Sequence, residues 1–580
     1  MKMLVRTGDF VSSKMGKFTL TMIGPILDKI LGFSSLNAHY NAILEKEPQN
    51  SEQFCRTTLE HFENTVEVDP KLAEALAVDE PLIVVANHPY GGVDSLALME
   101  LVAQKSKGDW KILANQLLSR IQVMRENVVP VFPHATGEEK AANFKAIKEM
   151  HRTLKKKGVL VMFPAARVSG RHPEHGFVCD LPWSSHPLTL AEKFGASVVC
   201  CHISGQNSEK FLSIPAENLT RRSITLVKEV SKQRANAIRL NHSFTMDPEF
   251  IKRISSFANK EEILRAHNYI GSDKSEVKPA TKVEGDMSAY LSNSKTNYYD
   301  LLRARHEVIV EQKQFATFMF QGKEEEEVMQ EIGRLRAKTF ALIGAGTGKD
   351  VDLSPDDDYY HHIAVIEKSS GKIAGSYRVG FSNQILKEQG EDGLYLGSVF
   401  DIDSAFYKKI ESGMELSRSF IPLEFQKSPQ ILDLLFRTLG TTATKTGTRT
   451  FYGSVTISND YTPLSQAVLV DTLDRYYSAA PELRKLVGNQ NPFRPTTTYH
   501  SLLSDAYSEH GLNRLNMAIS EIEEGQRPIP PLMRYYIPLS AKFVSFKVEP
   551  TFANAIYCLL VIDTEEFPPR YRKRFLGRDD

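Results

Sequence analysis

The stretch Leu82-Ile83-Val84-Val85-Ala86, followed at once by Asn87-His88-Pro89-Tyr90-Gly91-Gly92-Val93-Asp94, decides the fold of the first half of this chain. The apolar run predicts a buried strand, and Ser95–Val102 continues with a helical pattern. His88 and Asp94 are therefore expected in a turn at the carboxyl end of a strand, which is where open α/β sheets place their sites. The adjacent glycines can adopt backbone conformations that other residues avoid, so the turn has room to bend.

A histidine beside an aspartate can perform general base catalysis. An imidazole has an ordinary pKa of ~6.5, and a carboxylate can orient it so that its neutral form takes a proton from a hydroxyl as that oxygen attacks an activated carbonyl. A single His in a loop is more often structural or simply solvated. The pair alone therefore leaves a catalytic and a structural role open.

A second motif, Phe163-Pro164-Ala165-Ala166-Arg167-Val168-Ser169, ends another strand-like run, and a third run, Val128–Phe132, lies between the two. Together these motifs resemble the glycerolipid and lysophospholipid O-acyltransferases, which carry Asn-His…Asp and Phe-Pro-x-Gly-x-x-Ser. The form Asn-His-Pro-aromatic-Gly-Gly is similar to a bacterial branch called haemolysin-like. The resemblance implies that His88 is the base and Asp94 orients it. It also implies a set of substrate-binding residues: Asn87, Gly91, Gly92, Phe163, Pro164, Arg167 and Ser169.

The chain departs from that family at two points. Five residues separate His88 from Asp94 where the family usually has four, and Ala166 stands at the usual glycine. Relatives that bind glycerol phosphate have Glu-Gly-Thr-Arg after Phe-Pro, and this chain lacks that acid. An acceptor other than glycerol phosphate fits better, and Arg167 is expected to meet a carboxylate on it.

The second half has a different pattern. Glu331–Phe340 predicts a helix, and His361–Ile366 and Lys372–Val379 predict a hairpin around a Ser-Ser-Gly turn. Met414–Ile421 alternates as a strand does, and Leu432–Leu439 predicts the helix that follows.

Six residues in this half resemble, in their order, the N-acyltransferases that attach a 3-hydroxyacyl chain to ornithine and, more distantly, the acyl-homoserine-lactone synthases. Both families have a GNAT-like fold. The resemblance implies that Glu415 is catalytic and accepts a proton from the amine. It also implies that the other five residues bind substrate: Arg336, Phe340, Asp358, Arg378 and Arg418. A structural ion pair between Glu415 and Arg418 is the alternative, and the sequence does not choose between them.

The length of 580 residues predicts more than one domain, because single cores rarely exceed ~250–300 residues. The polar stretch 272–282 predicts a connection. We expect an α/β lysophospholipid O-acyltransferase-like domain over 1–265, a linker over 266–289, and a GNAT-like α/β domain over 290–580.

Composition excludes several other classes. Lys plus Arg equals Asp plus Glu at 71 each, which argues against a nucleic-acid partner. The 5 Cys residues show no metal-ligand spacing, so no metal is expected and a reducing cytoplasm is the simplest location. No apolar stretch reaches the ~20 residues of a spanning helix, and the amino terminus lacks the pattern of a signal peptide.

Two segments suggest contact with a membrane surface. Residues 17–34 have an amphipathic pattern, which either lies on lipid or packs on its own domain. The basic residues Arg570, Arg572, Lys573, Arg574 and Arg578 either touch anionic headgroups or are simply solvated. We therefore expect a cytoplasmic protein that is peripheral on the inner membrane.

Taken together, the two halves resemble the bifunctional ornithine-lipid synthases of bacteria. The resemblance implies that the second half joins a 3-hydroxy fatty acid to an amino acid, and that the first half then esterifies the 3-hydroxyl. Acyl carrier protein or coenzyme A would supply the acyl groups, and no cofactor is expected. The main alternative is a single lysophospholipid acyltransferase whose second half only binds acyl chains. A membrane-disrupting protein and a signal synthase that uses S-adenosylmethionine are less consistent with the motifs.

Overall fold

The computed structural model describes residues 4, 28, 32–116, 118–132, 138–230, 232–272, 277–278, 290–342, 348–508 and 511–578. The chain forms two compact units. The first comprises Met1–Lys274 together with Ser501–Ala506, and the second comprises Ser275–His500 together with Tyr507–Asp580. Most of the amphipathic segment 17–34 and most of the predicted connection 272–282 lie outside the described residues.

Unit 1 alternates strands with helices along the chain. Its strands are β1 Thr65–Val68, β2 Leu82–Ala86, β3 Trp110–Ala114, β4 Val128–Pro130, β5 Val159–Met162, β6 Gly170–Arg171, β7 Val178–Cys179, β8 Ser197–Ile203 and β9 Ala237–Met246. Its helices are α1 Phe33–Leu44, α2 Ser51–His61, α3 Pro70–Leu76, α4 Val93–Lys105, α5 Glu138–Lys155, α6 His186–Phe194, α7 Glu209–Leu212, α8 Leu219–Val230, α9 Pro248–Ile254 and α10 Lys260–Tyr269.

The main sheet of unit 1 has seven strands in the order β1-β9-β8-β2-β5-β3-β4. Every residue of β2 and β5 is buried, which explains why both sequences are uninterrupted apolar runs. These two strands pair in parallel, so their carboxyl ends meet at one edge of the sheet. The turn that begins at Asn87 and the motif that begins at Phe163 therefore emerge side by side.

The end of unit 1 differs from the predicted boundary at residue 265. That position lies inside α10, which continues to Tyr269 and is followed by a short 3₁₀ turn at Ile270–Ser272. The last seven residues of α10, from Ile263, are buried. The first residues of the predicted linker, from 266 to 270, are thus buried within unit 1.

Unit 2 contains the remaining elements. Its strands are β10 Val310–Gln312, β11 Phe315–Gln321, β12 His361–Glu367, β13 Ile373–Phe381, β14 Asp401–Ile402, β15 Gly413–Phe420, β16 Thr450–Ile457, β17 Val487–Gly488, β18 Lys542–Glu549 and β19 Ala555–Asp563. Its helices are α11 Tyr298–Arg303, α12 Glu326–Ala341, α13 Asp356–Tyr359, α14 Ser382–Gln389, α15 Tyr395–Val399, α16 Ser404–Lys409, α17 Pro429–Thr446, α18 Pro463–Tyr476, α19 Pro481–Arg484, α20 His500–Ser508, α21 Leu512–Ile522, α22 Pro531–Tyr536 and α23 Pro569–Tyr571. Residues 501–506 of α20 cluster with unit 1.

The eight-stranded sheet of unit 2 has the order β10-β11-β12-β13-β15-β16-β19-β18. β12 and β13 form an antiparallel pair, which confirms the predicted hairpin. β15 and β16 are parallel, and their pairing covers only Gly413–Leu416 and Thr450–Gly453, although both strands continue further. Gly453 has a φ of +156°, and a Cβ there would lie 2.1 Å from the carbonyl oxygen of Leu416, so only glycine fits where the pairing stops.

None of the helices in the described part of the chain is long and apolar enough to cross a bilayer. The basic carboxyl-terminal residues bind their own unit. Arg574 pairs with Asp433 at 2.7 Å, Arg578 pairs with Glu565 at 2.8 Å, and Arg572 donates to the carbonyl oxygen of Glu565 at 2.6 Å. These three arginines already have intramolecular partners, which weakens the suggestion that the tail contacts lipid.

Candidate active sites

The turn after β2 brings His88 and Asp94 together. Nδ1 of His88 lies 3.0 Å from Oδ2 of Asp94, whose side chain is fully buried at the first turn of α4. The carboxylate also accepts hydrogen bonds from the main-chain N–H groups of Tyr90, Gly91, Gly92 and Ser95 at 2.8–3.1 Å. Burial raises the pKa of Asp94, but the charge of His88 and these hydrogen bonds outweigh it, so the net pKa lies below the ordinary value.

This arrangement fixes which nitrogen of His88 can act. The ionised carboxylate of Asp94 can only accept hydrogen bonds, so in the neutral imidazole Nδ1 carries the hydrogen and Nε2 has its lone pair free. Nε2 has no hydrogen-bond partner among the described residues, and 19% of the side chain is exposed. Burial lowers the pKa of His88, while the Asp94 carboxylate raises it through charge and hydrogen bonding, and the net pKa is raised.

The glycines of this turn are required by close packing. Gly91 has a φ of +80°, and a Cβ there would lie 2.6 Å from Cγ2 of Val168 and 2.7 Å from Cδ1 of Leu226. A Cβ on Gly92 would lie 3.1 Å from Cγ2 of Val230. Both positions therefore shape the turn that carries His88.

Asn87 joins the turn to the sheet. Its amide donates to the carbonyl oxygen of Ile203 at 2.8 Å and accepts from the N–H of Ile203 at 2.7 Å. Nδ2 of Asn268 also donates to Oδ1 of Asn87 at 3.3 Å. The side chain is 3% exposed, so the structure places Asn87 in the framework beneath the turn.

The Phe-Pro motif lies against the same histidine. The Phe163 ring centroid is 4.4 Å from that of His88, and the N–H of Ser169 donates to the carbonyl oxygen of His88 at 3.0 Å. Pro164, which follows Phe163 in the sequence, is buried. Ala166 has a φ of +53°, so the motif keeps a left-handed conformation at the position where the resembled family has glycine.

Arg167 is exposed, and its guanidinium makes no hydrogen bond or ion pair within the described residues. Its charge helps to lower the pKa of Arg222, although burial of Arg222 contributes more. Arg222 is buried and donates to the carbonyl oxygens of Val168 and Ser169 at 3.0 and 2.9 Å. One arginine therefore holds the loop, and the other is free to bind an anion.

Asp180 is the residue that the sequence analysis missed. Oδ1 accepts from the main-chain N–H of His88 at 3.2 Å and from Oγ of Ser169 at 2.5 Å, and Oδ2 accepts from Nε1 of Trp183 at 3.0 Å. The side chain is 1% exposed, and burial raises its pKa despite these hydrogen bonds. The available signal was a single acid between apolar residues, in Val178-Cys179-Asp180-Leu181.

Helix α10 supports Asp180 from behind. The N–H of Asp180 donates to the hydroxyl of Tyr269 at 2.7 Å, and Nη1 of Arg265 donates to the carbonyl oxygen of Asp180 at 3.1 Å. Ser169 and Asp180 therefore hold the backbone of His88 in position, and α10 holds Asp180 in position.

In unit 2, Glu415 lies in the buried part of β15. Its Oε1 accepts from the N–H of Leu396 at 2.6 Å, and Oε2 accepts from the N–H of Tyr395 at 3.1 Å and from the hydroxyl of Tyr360. Burial raises the pKa of Glu415 to about 7, against the lowering effects of Tyr360, Arg378 and the two N–H groups. A carboxyl group with that pKa can exchange a proton near neutral pH.

Arg336 and Arg378 converge on Asp357. Arg336 forms a bidentate pair with Asp357 at 3.1 and 2.9 Å, and Nη1 of Arg378 lies 3.4 Å from Oδ1. Burial raises the pKa of Asp357, but the two arginines lower it well below its ordinary value. Asp358, which the sequence analysis selected, is exposed. Successive residues of a helical turn point ~100° apart, so Asp357 faces the arginines and Asp356 approaches Arg378 at 3.9 Å, whereas Asp358, the residue expected to bind substrate, points to solvent.

Of the other predicted residues of this half, Arg378 and Arg418 both approach the ring of Tyr395, whereas Phe340 packs in the core of the unit. The guanidinium carbons of Arg378 and Arg418 are 4.9 and 5.0 Å from the centroid of that ring. Arg418 has a φ of +52° within β15, as a bulged strand residue does. Phe340 is 8% exposed, and its ring packs on Phe552 at 5.6 Å, so it belongs to the core of the unit.

Two family matches coincide with these two sites. Residues 52–229 match the family described as Acyltransferase, a range that contains His88, Asp94, Ser169 and Asp180. Residues 335–436 match the family described as Acetyltransferase (GNAT) domain, a range that contains Arg336, Asp357 and Glu415.

The chain carries an acyltransferase domain followed by a GNAT domain. It is an enzyme of the acyltransferase class, with a mixed α/β fold in both units. The predicted order of the two domains, an acyltransferase followed by a GNAT domain, is thus confirmed at the level of the two families.

Relatives of this acyltransferase are named for both kinds of transfer. It is 28% identical over 229 residues to a glycine N(alpha)-acyltransferase of Phocaeicola vulgatus, which spans 37% of this chain and 68% of the relative. It is 27% identical over 201 residues to a lyso-glycine lipid O-acyltransferase of Bacteroides thetaiotaomicron, which spans 35% of this chain and 70% of the relative.

Solved structures give weaker similarities. The 1-acyl-sn-glycerophosphate acyltransferase PlsC of Thermotoga maritima aligns with a TM-score of 0.26 and 17% identity, over 44% of this chain and 90% of that chain. The acyl-homoserine-lactone synthase LasI aligns with a TM-score of 0.25 and 10% identity, over 46% of this chain and 96% of that chain.

Proposed function

We propose that this acyltransferase makes an acylated amino-acid lipid in two steps. The GNAT domain forms an amide between a 3-hydroxyacyl chain and the α-amine of an amino acid, and the acyltransferase domain then esterifies the 3-hydroxyl. Ornithine is the acceptor that the resembled family implies, and glycine is the acceptor in the names of the relatives. The acyl donors are thioesters of acyl carrier protein or coenzyme A, and no further cofactor takes part.

The observation that carries this proposal is the free Nε2 of His88, whose opposite nitrogen is held by Asp94 at 3.0 Å. Nε2 takes the proton of the 3-hydroxyl while the hydroxyl oxygen attacks the thioester carbon. The carbon–sulfur bond then breaks, and the thiolate receives the proton from the imidazolium. Asp94 stabilises the imidazolium between these two transfers.

The acceptor is expected to meet the acyltransferase domain through its carboxylate. Arg167 is exposed and unpaired among the described residues, and it lies in the motif that packs on His88. An N-acylated amino acid offers a carboxylate where a glycerol phosphate would offer a phosphate. Arg167→Ala should therefore raise KM for the lyso-lipid and leave kcat nearly unchanged. An unchanged KM would exclude this contact.

In the GNAT domain we assign Glu415 to proton transfer from the amine. Its raised pKa, about 7, lets it accept a proton directly or through water. The neutral amine attacks the thioester carbon, and Glu415 takes the proton that the nitrogen loses as the amide forms. The carbon–sulfur bond then breaks, and the leaving thiolate receives that proton. Both reactions take place at the cytoplasmic face of the inner membrane, which holds the mono-acylated and the diacylated amino-acid lipid.

Mass spectrometry of lipids tests the two steps together. The purified protein is supplied with 3-hydroxyacyl and acyl thioesters of acyl carrier protein, and with ornithine or glycine in parallel. The parent protein should make the diacyl lipid, and His88→Ala should accumulate only the mono-acylated amino acid. Glu415→Ala should make neither product until lyso-lipid is added. A diacyl product from His88→Ala would disprove the role of the histidine.

A single-activity O-acyltransferase is the second candidate, and one observation favours it. Both oxygens of Glu415 already accept from the N–H groups of Tyr395 and Leu396, which is also what a purely structural carboxylate would do. In that case the same assay yields no amide with either amino acid, while added lyso-lipid is still esterified.

A further inference from the structure

Helix α5 exposes large apolar side chains to solvent. Phe144 is 69% exposed and Ile147 is 41% exposed, whereas Ala146, Met150 and Leu154 are buried against the sheet of unit 1. At ~100° per residue, Phe144 lies on the outer side of the helix, whereas Ile147, seven residues before Leu154, lies at the border between the outer side and the buried face. A phenylalanine with this exposure gains nothing from the core of its own unit.

The same surface is strongly basic, although the whole chain has a net charge of zero. Helix α5 begins with Glu138 and Glu139. Between residues 140 and 157 the sequence then has one acid, Glu149, and seven bases: Lys140, Lys145, Lys148, Arg152, Lys155, Lys156 and Lys157. Of these bases, Lys157 lies 3.5 Å from Asp79. The acid is engaged, because Glu149 lies 3.8 Å from Arg152 and 3.9 Å from Lys111.

The environment of His151 reports the local charge. Its ring lies one helical turn beyond Ile147, and its centroid is 5.0 Å from that of Phe194, with the two planes tilted by 57°. Burial lowers its pKa, and the charges of Lys193 and Lys155 lower it further. The outer face of α5 therefore combines protruding apolar groups with a positive field.

The helix also starts at the edge of the sheet where His88 lies. The Asn143 side chain donates to the carbonyl oxygen of Phe132 at 2.9 Å and accepts from its N–H at 3.0 Å. Phe132 follows β4, so Asn143 and Phe144 are near the carboxyl ends of the parallel strands. With 18 residues, α5 is ~27 Å long and can lie flat on a planar surface.

We propose that the outer face of α5 binds an anionic lipid bilayer. Phe144 and Ile147 enter the headgroup region, and the surrounding lysines pair with anionic headgroups. A lipid surface fits better than an acidic protein because the apolar groups protrude from a convex helix instead of lining a groove. This surface is independent of the proposed reaction, since it needs neither His88 nor Glu415.

Co-sedimentation with vesicles tests this proposal. The full-length protein is mixed with vesicles of phosphatidylcholine alone or with a quarter phosphatidylglycerol. The parent should bind the anionic vesicles more tightly, and Phe144→Ala/Ile147→Ala should weaken that binding about tenfold or more. The matched control is Val78→Ala/Tyr476→Ala, which removes apolar side chains that are 37% and 44% exposed elsewhere. It should bind as the parent does.

Tryptophan quenching gives a second measurement that does not depend on affinity. Phe144→Trp should be quenched by brominated phosphatidylcholine in anionic vesicles, and Tyr476→Trp should not. Equal binding by the Phe144/Ile147 double variant, or equal quenching at both positions, would overturn the proposal. So would loss of acyl-carrier-protein binding with vesicle binding intact, because α5 would then face a protein. His88→Ala should bind vesicles like the parent, so failure of the proposed reaction does not affect this test.

Discussion

The carboxylate of Asp180 accepts a hydrogen bond from the main-chain N–H of His88 across 92 residues of sequence, at 3.2 Å. His88 is thus held twice, with Asp94 on its ring and Asp180 on its backbone. Three donors reach Asp180, and two of them share Oδ1.

Asp180→Asn should destabilise unit 1 by about ~1–3 kcal/mol, because an amide has one acceptor oxygen and leaves at least one donor facing its NH₂ group. Both tryptophans of the chain, Trp110 and Trp183, lie in unit 1, so urea unfolding followed by their fluorescence measures this loss. Ser169→Ala removes a single hydrogen bond and should cost about ~1 kcal/mol. Equal midpoints for Asp180→Asn and the parent would show that Asp180 does not hold the turn.

We expect the rate of the proposed O-acylation step to fall as the pH is lowered, with a midpoint above 6.5, the ordinary pKa of histidine. Burial lowers the pKa of His88, but Asp94 raises it to a net value above the ordinary one, and only the neutral imidazole is a base. Asp94→Asn should lower the rate ~10²–10⁴-fold, which is the size of a general-base contribution. It should also move the acid limb of the pH–rate profile to lower pH, because the carboxylate no longer raises the pKa of His88. A pH–rate profile with lyso-lipid as acceptor measures both effects. An acid limb that stays in place would show that Asp94 does not set the titration of His88.

Ala166 should tolerate glycine and reject valine. Its φ of +53° favours glycine, and a β-branched side chain is strongly disfavoured there. Ala166→Val should destabilise unit 1 by more than ~1 kcal/mol, while Ala166→Gly should be neutral or stabilise it by up to ~1 kcal/mol. Tryptophan-monitored unfolding compares the two. Similar losses for both variants would contradict the left-handed conformation.

The N-acylation step should rise with pH through about 7, because only the ionised form of Glu415 can accept a proton. The stability effect has the opposite sign. A raised carboxyl pKa stabilises the folded state below the unfolded value of 4.5, and that contribution is lost as pH rises through about 7. Glu415→Gln should remove both dependences, whereas His88→Ala should keep the N-acylation profile. Calorimetry and amide formation between pH 5 and 8 measure them. An unchanged profile in Glu415→Gln would assign the proton transfer to another group.

Two adjacent aspartates provide a matched pair for the arginine cluster. Asp357→Asn removes the carboxylate that Arg336 and Arg378 share and leaves excess positive charge in the buried cluster, where Arg336 keeps Asp352 at 2.9 Å as its one carboxylate partner among the described residues. Unit 2 should lose ~3–5 kcal/mol of stability. Asp358→Asn changes an exposed side chain and should stay within about ~0.5 kcal/mol of the parent. Scanning calorimetry or protease resistance distinguishes them. Comparable losses would return Asp358 to the site.

Local patterns were enough to predict much of both units. The apolar run Leu82–Ala86 is a central strand, and the hairpin around residues 369–371 is present. His88 and Asp94 could be paired from sequence because only a short glycine-containing turn separates them. Their meeting depends on local backbone geometry, which sequence encodes well.

Contacts between distant segments could not be predicted in this way. Asp180 reaches His88 only because β6, β7 and the loop after them fold back over the strand ends. The choice of Asp357 over Asp358 depends on where Arg336 lies, and the core position of Phe340 depends on Phe552. In each case tertiary packing, which a single sequence does not display, selects the residue.

Helix α10 has a practical consequence for separating the two activities. Tyr269 and Asn268 bond to Asp180 and Asn87, so a proteolytic nick between residues 259 and 270 would remove the brace behind the histidine while sparing every residue of its turn. The proposed esterification would then fail in a protein that keeps both His88 and Asp94. A gene fragment meant to encode the first activity alone should therefore reach at least Lys274, the end of the main segment of unit 1.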